Sequence, residues 1–286
     1  MDIRQSENYA KYIKSLGWTV ERVGKGNIFI RKLGPTAVIK IQRPEEINLA
    51  EVEKVTQKYH PLLIKIEPTH NSKFIIHNLK FQQDSWPLLP TKTIVINLKS
   101  SICNRQSLPK DTRYEIRKAE EKGLTVTESH DINLFYKLLQ ETMKIGGWSI
   151  PINREVMSLY KSFQSNNSVL LFTTVNREPV FTVNQPVAAC LLIWDGDTAH
   201  YMYAALTKSG RQLGAAYFLL WKTIKFCQKK GLKHLDLEGV YDERFPLKHW
   251  RGFTKFKQGW GGKEISYPGS FTKYANPFVK LLFSLT

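Results

Sequence analysis

Residues 200–239 read HYMYAALTKSGRQLGAAYFLLWKTIKFCQKKGLKHLDLEG, and this stretch decides the fold. HYMYAAL reads as a strand. Ala216, Leu219, Leu220, Thr223, Ile224 and Cys227 then recur on one helical face, and Gly231 stands where a C′ residue ends such a helix. LKHLDLEG resumes strand alternation, so the order is strand, helix, parallel strand. Just upstream, SVLLFTTV and PVAACLLIW read as two more strands. The N-terminal half has the same order. NIFIRKL and TAVIKIQ flank the Gly34-Pro35 turn, PEEINLAEVEKVTQKYH reads as a helix with Pro44 at N1, and the strand LLIKIEP follows. A helix in SENYAKYIKSLGW, closed by Gly17, opens the chain. No residue-level repeat joins the halves, so the duplication is architectural: two α/β (α+β) layer domains. The join is expected near residues 123–129, where the polar, turn-rich TVTESHD separates the helices TRYEIRKAEEK and INLFYKLLQETMK. That gives a first domain over 1–127 and a second over 128–264. The apolar tail YANPFVKLLFSLT either packs back to complete the first domain over 265–286 or forms a small membrane-touching tip.

Composition narrows the partners. With 286 residues, 42% of them hydrophobic, the chain has core material for one large or two ordinary domains and is not a disordered polymer. Its 42 Lys plus Arg against 25 Asp plus Glu leave a formal charge of +17, so nucleic acid, phosphorylated metabolites and anionic membranes are the natural partners. Three scattered cysteines without CxxC spacing argue against a disulfide framework and a zinc site, and fit a reducing cytoplasm. No segment approaches the roughly 18 apolar residues that span a bilayer, so membrane contact is expected to be peripheral. The seven histidines show no paired metal-ligand spacing, and no metal is expected.

RQLGAA, Arg211 to Ala216, sits between a strand and a long helix. There, backbone amides and the positive helix terminus can surround an anion, and Gly214 lets it approach closely. The competing reading is an ordinary tight turn. The pattern resembles the GNAT acyl-transferase superfamily, where this loop grips the pyrophosphate of coenzyme A and the two flanking strands splay into a wedge. The first half has QRPEEI at the matching junction, without glycine and with two acids, so no such grip is expected there.

Longer segments resemble a narrower family, the FemABX peptidoglycan-bridge aminoacyltransferases, built from two GNAT-like domains. They are LGP at 33–35, LIKIEP at 63–68, LPTKTIVINL at 89–98, TRYEIRKAEEKGLTV at 112–126, YMYAAL at 201–206, AYFLLWKTIKFCQKKGLKHLDLEG at 216–239 and FTKFKQGWGG at 253–262. The resemblance implies a compact member without the coiled-coil arm of longer ones, acting as a monomer. It also implies transfer of an amino acid from aminoacyl-tRNA, as co-substrate and without a cofactor, to the stem-peptide amine of lipid II or UDP-MurNAc-pentapeptide, with peripheral contact to the inner membrane face. Two rivals are an N-acyltransferase using acyl-CoA or acyl-carrier protein, and a non-catalytic RNA- or membrane-binding protein of the same fold.

The reaction needs positioning, deprotonation and oxyanion stabilisation but no covalent nucleophile, because an aminoacyl ester is already activated. By resemblance to the family's Phe-Lys-x-Gly-Phe block, Lys257 is the charge-stabilising catalytic residue and Phe256 lies beside the substrate; Trp260 replaces the usual second Phe. Without the family, a solvated basic loop is the favoured reading of Lys255, Lys257 and Lys263. The resemblance also implies that Arg31, Lys32, Arg154, Tyr160 and Tyr203 meet the acceptor in a cleft between domains, while Arg211 and Gly214 are expected at a substrate phosphate. The family's Arg before Gly-Pro is Leu33 here. Thr112 and Glu115 form a capping-box pattern, and Arg113, Arg117 and Lys118 on the same helix are expected to meet tRNA or another anion, although Arg117 can equally pair with Glu121. Asp236 and Glu238 end a strand, where an acid either orients the incoming amine or caps a loop.

Overall fold

The computed structural model describes residues 1–24, 26–46, 48–69, 80–100, 103–146, 152–164, 166–176 and 185–284. The chain forms two compact units. One is Met1–Lys92 with Tyr241–Leu247 and Ser266–Thr286; the other is Thr93–Val240 with Lys248–Ile265.

The first unit opens with α1 (Glu7–Ser15), capped by the Ser6 hydroxyl accepting the Tyr9 N–H. Then come β1 (Thr19–Val23), β2 (Gly26–Leu33), β3 (Thr36–Gln42), α2 (Leu49–Tyr59), β4 (Pro61–Glu67) and β5 (Gln82–Asp84), with β13 (Ser270–Tyr274) and α9 (Pro277–Ser284) returning from the far end of the chain. The sheet order is β1-β2-β3-β4-β13-β5, and β3 and β4 run parallel. Ile28, Ile30, Ile39, Ile64, Ile66, Val55 and Phe271 share its core. Pro44 does not begin α2. The N-cap is Asn48, whose side chain accepts the Glu51 N–H. Arg43 explains the delay. It is buried in the left-handed region with φ 52°, donates its N–H to the Glu67 carbonyl at 2.7 Å, and stacks its guanidinium 3.5 Å over the Tyr267 ring. That fastening holds the following residues out of a helix.

The second unit contains β6 (Lys92–Asn97), α3 (Lys110–Glu121), β7 (Leu124–Ser129), α4 (Ile132–Ile145), α5 (Asn153–Phe163), β8 (Ser168–Val175), β9 (Ala188–Asp195), β10 (Thr198–Leu206), α6 (Lys208–Leu213), α7 (Ala215–Lys229), β11 (His234–Gly239), α8 (Arg251–Gln258) and β12 (Lys263–Ser266). The sheet order is β12-β6-β11-β10-β9-β8-β7. The expected boundary at 127/128 is therefore displaced to 92/93. β6 pairs antiparallel with β11, β7 pairs with β8, and Ile116 and Ala119 of α3 share a core with Leu219 and Leu220 of α7. TVTESHD misled because it is largely an edge strand. One side of β7 faces solvent, so its residues read as polar loop. The capping-box reading of Thr112 is also corrected. The helix starts at Lys110, and the Thr112 hydroxyl instead donates to the Gly259 carbonyl at 2.9 Å.

A Cβ on Gly210 would lie 2.2 Å from the Val187 carbonyl oxygen, whereas one on Gly252 meets nothing within 4 Å. Urea unfolding of Gly210→Ala should show a loss of about 1–3 kcal/mol, while Gly252→Ala, inside α8, should be neutral or gain up to about 1 kcal/mol.

Candidate active site

β10 and β11 are hydrogen-bonded partners only over Thr198↔His234, Ala199↔Leu235 and His200↔Asp236; beyond that point they part. Local chemistry drives the parting. The Asp236 carboxylate accepts the Glu238 N–H at 2.7 Å, a side-chain turn that takes this donor out of the ladder. Glu238 sits at φ 59°, and the pairing of β11 with β6 is broken between Asp236 and Gly239. On β10, a bulge between Tyr201 and Tyr203 turns the two rings to opposite faces. Tyr201 joins the core shared with α7. Tyr203 takes the other face, with His200.

Lys257 reaches this parting from α8. Its Nζ donates to the Gly239 carbonyl at 2.8 Å and the Glu238 carbonyl at 3.4 Å, and lies 5.0 Å from the centre of the Phe253 ring. Burial pushes its pKa down to about 8, against the pull of the Glu238 and Asp236 charges. The helix that carries it is anchored by aromatic packing. Phe256 meets Tyr217 edge-on at 5.0 Å, and Trp260, fully buried, contacts both rings. Phe256 is thus an anchor of α8 rather than a wall of the opening. Gly262 is packed so closely on Ile94 that a Cβ would lie 2.6 Å from its Cγ2.

Around the ammonium lies a buried polar group. His200 Nδ1 is 2.7 Å from Glu238 Oε1 and 3.9 Å from Asp236 Oδ2, and the Thr93 hydroxyl donates to Asp236. Burial raises the Asp236 pKa. Tyr203 is pushed up to about 12, first by burial and then by the Glu155 and Glu238 charges, so its hydroxyl stays protonated. Glu155 Oε2 is buried without a hydrogen-bond partner among the described residues. The ligand atoms of His200, Asp236 and Glu238 lie within 4.8 Å of one another, near enough for a cation. His200 Nδ1 already faces Glu238, and Asp236 Oδ1 already accepts from Thr93 and the Glu238 N–H. Hydrogen bonding and the neighbouring ammonium account for the set.

The remaining expected residues are scattered. Gly214, at φ 74°, does precede α7, and Glu115 Oε2 lies 3.1 Å from where a Gly214 Cβ would be. A carboxylate there already complements the positive end of α7 and would repel a pyrophosphate. Arg211 is exposed in α6, and its carbonyl accepts the Gly214 N–H. Tyr160 is buried with its hydroxyl 3.1 Å from His130 Nδ1, which removes it from any substrate surface. Arg154 is exposed on the same helix. Arg31 caps the end of α1 through the Leu16 and Gly17 carbonyls, and Lys32 lies over the Tyr59 ring. Arg113 donates to the Gln106 carbonyl, Arg117 pairs with Glu121 at 3.6 Å, and Lys118 lies 5.7 Å from the Tyr114 ring. Cys103, Cys190 and Cys227 are all buried thiols. His200 and Glu155 were missed from sequence. The alternation in HLDLE signals the acids of β11, but the bulge and the separate helix that bring His200, Tyr203 and Glu155 into range leave no local signature.

Two sheets of this topology in one chain, each with a strand-helix-parallel strand unit, define a tandem GNAT-like protein. FemX shares the fold, with a TM-score of 0.82 at 15% identity over 99% of this chain and 94% of that one. L-PGS from Bacillus licheniformis follows at a TM-score of 0.64, 11% identity and coverage of 96% and 91%. A tandem GNAT protein from the clavulanic acid biosynthesis pathway gives 0.53, 9% identity and coverage of 90% and 82%. No curated protein sequence matches. The FemAB family model matches residues 158–285, which contain the strand parting and Lys257. No helix among the described residues is long and apolar enough to cross a membrane.

Because the Glu115 carboxylate lies beside the Gly214 turn and repels an anion there, coenzyme A at millimolar concentration should leave the thermal unfolding midpoint unchanged. A rise of several degrees would show the cradle to be open.

Proposed function

We propose that this chain is an aminoacyltransferase that moves an amino acid from aminoacyl-tRNA to the stem-peptide amine of a peptidoglycan precursor, for interpeptide bridge formation. The observation that carries the reading is the Lys257 ammonium, held on the Glu238 and Gly239 carbonyls where β10 and β11 part. A neutral amine attacks the ester carbonyl carbon, a C–N bond forms, and negative charge develops on the carbonyl oxygen. A fixed ammonium in a poorly solvated place favours that charge far more than water does. Collapse then breaks the C–O bond to the terminal ribose, whose oxygen takes a proton, and the amine's surplus proton leaves to solvent or to a neighbouring base.

The formal charge of +17 supports a polyanionic donor, since neutralising phosphates releases counterions and steers encounter. Arg113, Arg117 and Lys118, beside the half-exposed Tyr114 on α3, are the proposed contacts for that donor. Glu115 at the Gly214 turn disfavours the acyl-CoA alternative. No cofactor enters this chemistry.

The test uses the whole chain with a panel of charged tRNAs and murein precursors, both lipid-linked and UDP-linked, read by mass spectrometry for one added residue. Lys257→Met should fold normally and lose on the order of 100-fold or more in transfer rate. On the alkaline side, transfer by the unaltered chain should fall as pH rises through about 8, where Lys257 loses its proton. No addition with any pairing, or full activity in Lys257→Met, would remove this reading.

A further inference from the structure

Lys257 presents a physical difficulty. Burial favours its neutral amine, yet oxyanion stabilisation needs the ammonium. We propose that Glu238 is a positioning residue that holds Lys257 in place and in its charged form at the parting of β10 and β11, with His200 and Asp236 locking Glu238 in the required conformation. The inference deepens the reading above and rests on it for the requirement that Lys257 be charged.

Three contacts fix Glu238. Its N–H donates to Asp236 Oδ1 at 2.7 Å, its Oε1 lies 2.7 Å from His200 Nδ1, and its carbonyl lies 3.0 Å from the Thr93 hydroxyl. A non-glycine residue at φ 59° is strained, and those contacts offset the strain. The left-handed turn is what presents two successive carbonyls, Glu238 and Gly239, to one ammonium. An ammonium has three N–H donors. With two on these carbonyls, the third is the one a substrate oxyanion would take. The charge of the Glu238 carboxylate at the same time favours the protonated amine, and more so than that of Asp236. The groups that bear on the titration are therefore Asp236 and Glu238 on β11, His200 and Tyr203 on β10, and, through Tyr203, Glu155 on α5. From α8 itself comes the Phe253 ring, 5.0 Å from the ammonium and favouring its charged form.

The pairing explains an otherwise wasteful arrangement. Two acids and a histidine are crowded together in the interior, where like charges repel and desolvation is costly. Burial and the neighbouring Glu238 charge raise the Asp236 pKa, which eases the repulsion between the two acids.

The experiment measures the ionisation of Lys257 without reference to catalysis. The whole chain is trace-labelled with acetic anhydride from pH 6 to 10.5, and the Lys257 peptide is quantified by mass spectrometry relative to its own high-pH plateau. The unaltered protein should give a midpoint near 8. Glu238→Gln should lower the midpoint by about one unit, so that labelling at pH 7 rises roughly fivefold. Glu238→Asn, which tolerates left-handed backbone better, should do the same and covers a folding failure of the first variant. Glu238→Asp keeps the charge and should move the midpoint back toward the unaltered value. In transfer assays the alkaline limb should move with the labelling midpoint. Identical midpoints in the unaltered protein and both neutral variants would overturn the proposal. A shifted midpoint in a protein that transfers nothing from any charged tRNA would support it and overturn the functional reading instead.

Discussion

Two parallel strands that stayed hydrogen-bonded to their ends would offer an incoming ammonium no free carbonyls, and would leave no opening between them. β10 and β11 stop pairing after His200 and Asp236 because the Asp236 side chain captures the Glu238 N–H and turns the backbone left-handed. From that one substitution of a side-chain acceptor for a strand neighbour follow the exposed Glu238 and Gly239 carbonyls, the seat of Lys257, and the proximity of Glu238 to His200. The sheet on either side is ordinary. Ile94, Ile96, Leu235 and Leu237 are buried and hold β6 and β11 in place, so the irregularity is local and supported.

The helix carrying Lys257 is held by apolar contact and not by its charge. Trp260, Phe256 and Tyr217 form one aromatic group, Gly262 admits close packing on Ile94, and the Thr112 hydroxyl reaches the Gly259 carbonyl. Such packing fixes a side chain to within the tolerance that electrostatic stabilisation requires. In the same unit, the Glu115 carboxylate lies beside the Gly214 turn that precedes α7.

Much of the fold was legible. The spacing of Ala216, Leu219, Leu220, Thr223, Ile224 and Cys227, together with Gly231, marks α7, and the flanking alternation marks β10 and β11. The same pattern around α2 marks the duplication. Two readings failed, each for its own reason: polarity alone does not separate an edge strand from a loop, and Pro at a permissive position does not start a helix when a buried Arg43 ties down the preceding backbone. Lys257 was legible through its resemblance to a family block.

The sequence by itself determined the period of each element, the pairing of two similar units, the excess positive charge and the FKQGW block that carries Lys257. Only the tertiary structure decided that residues 93–127 join the second unit, that Glu115 lies beside the Gly214 turn, and that His200, Asp236 and Glu238 surround one amine. The physical reason is the range of the forces. Periodicity and capping act within a turn or two of chain. Strand partners, bulges and the desolvation of a lysine arise between segments tens of residues apart, where no local spacing records them.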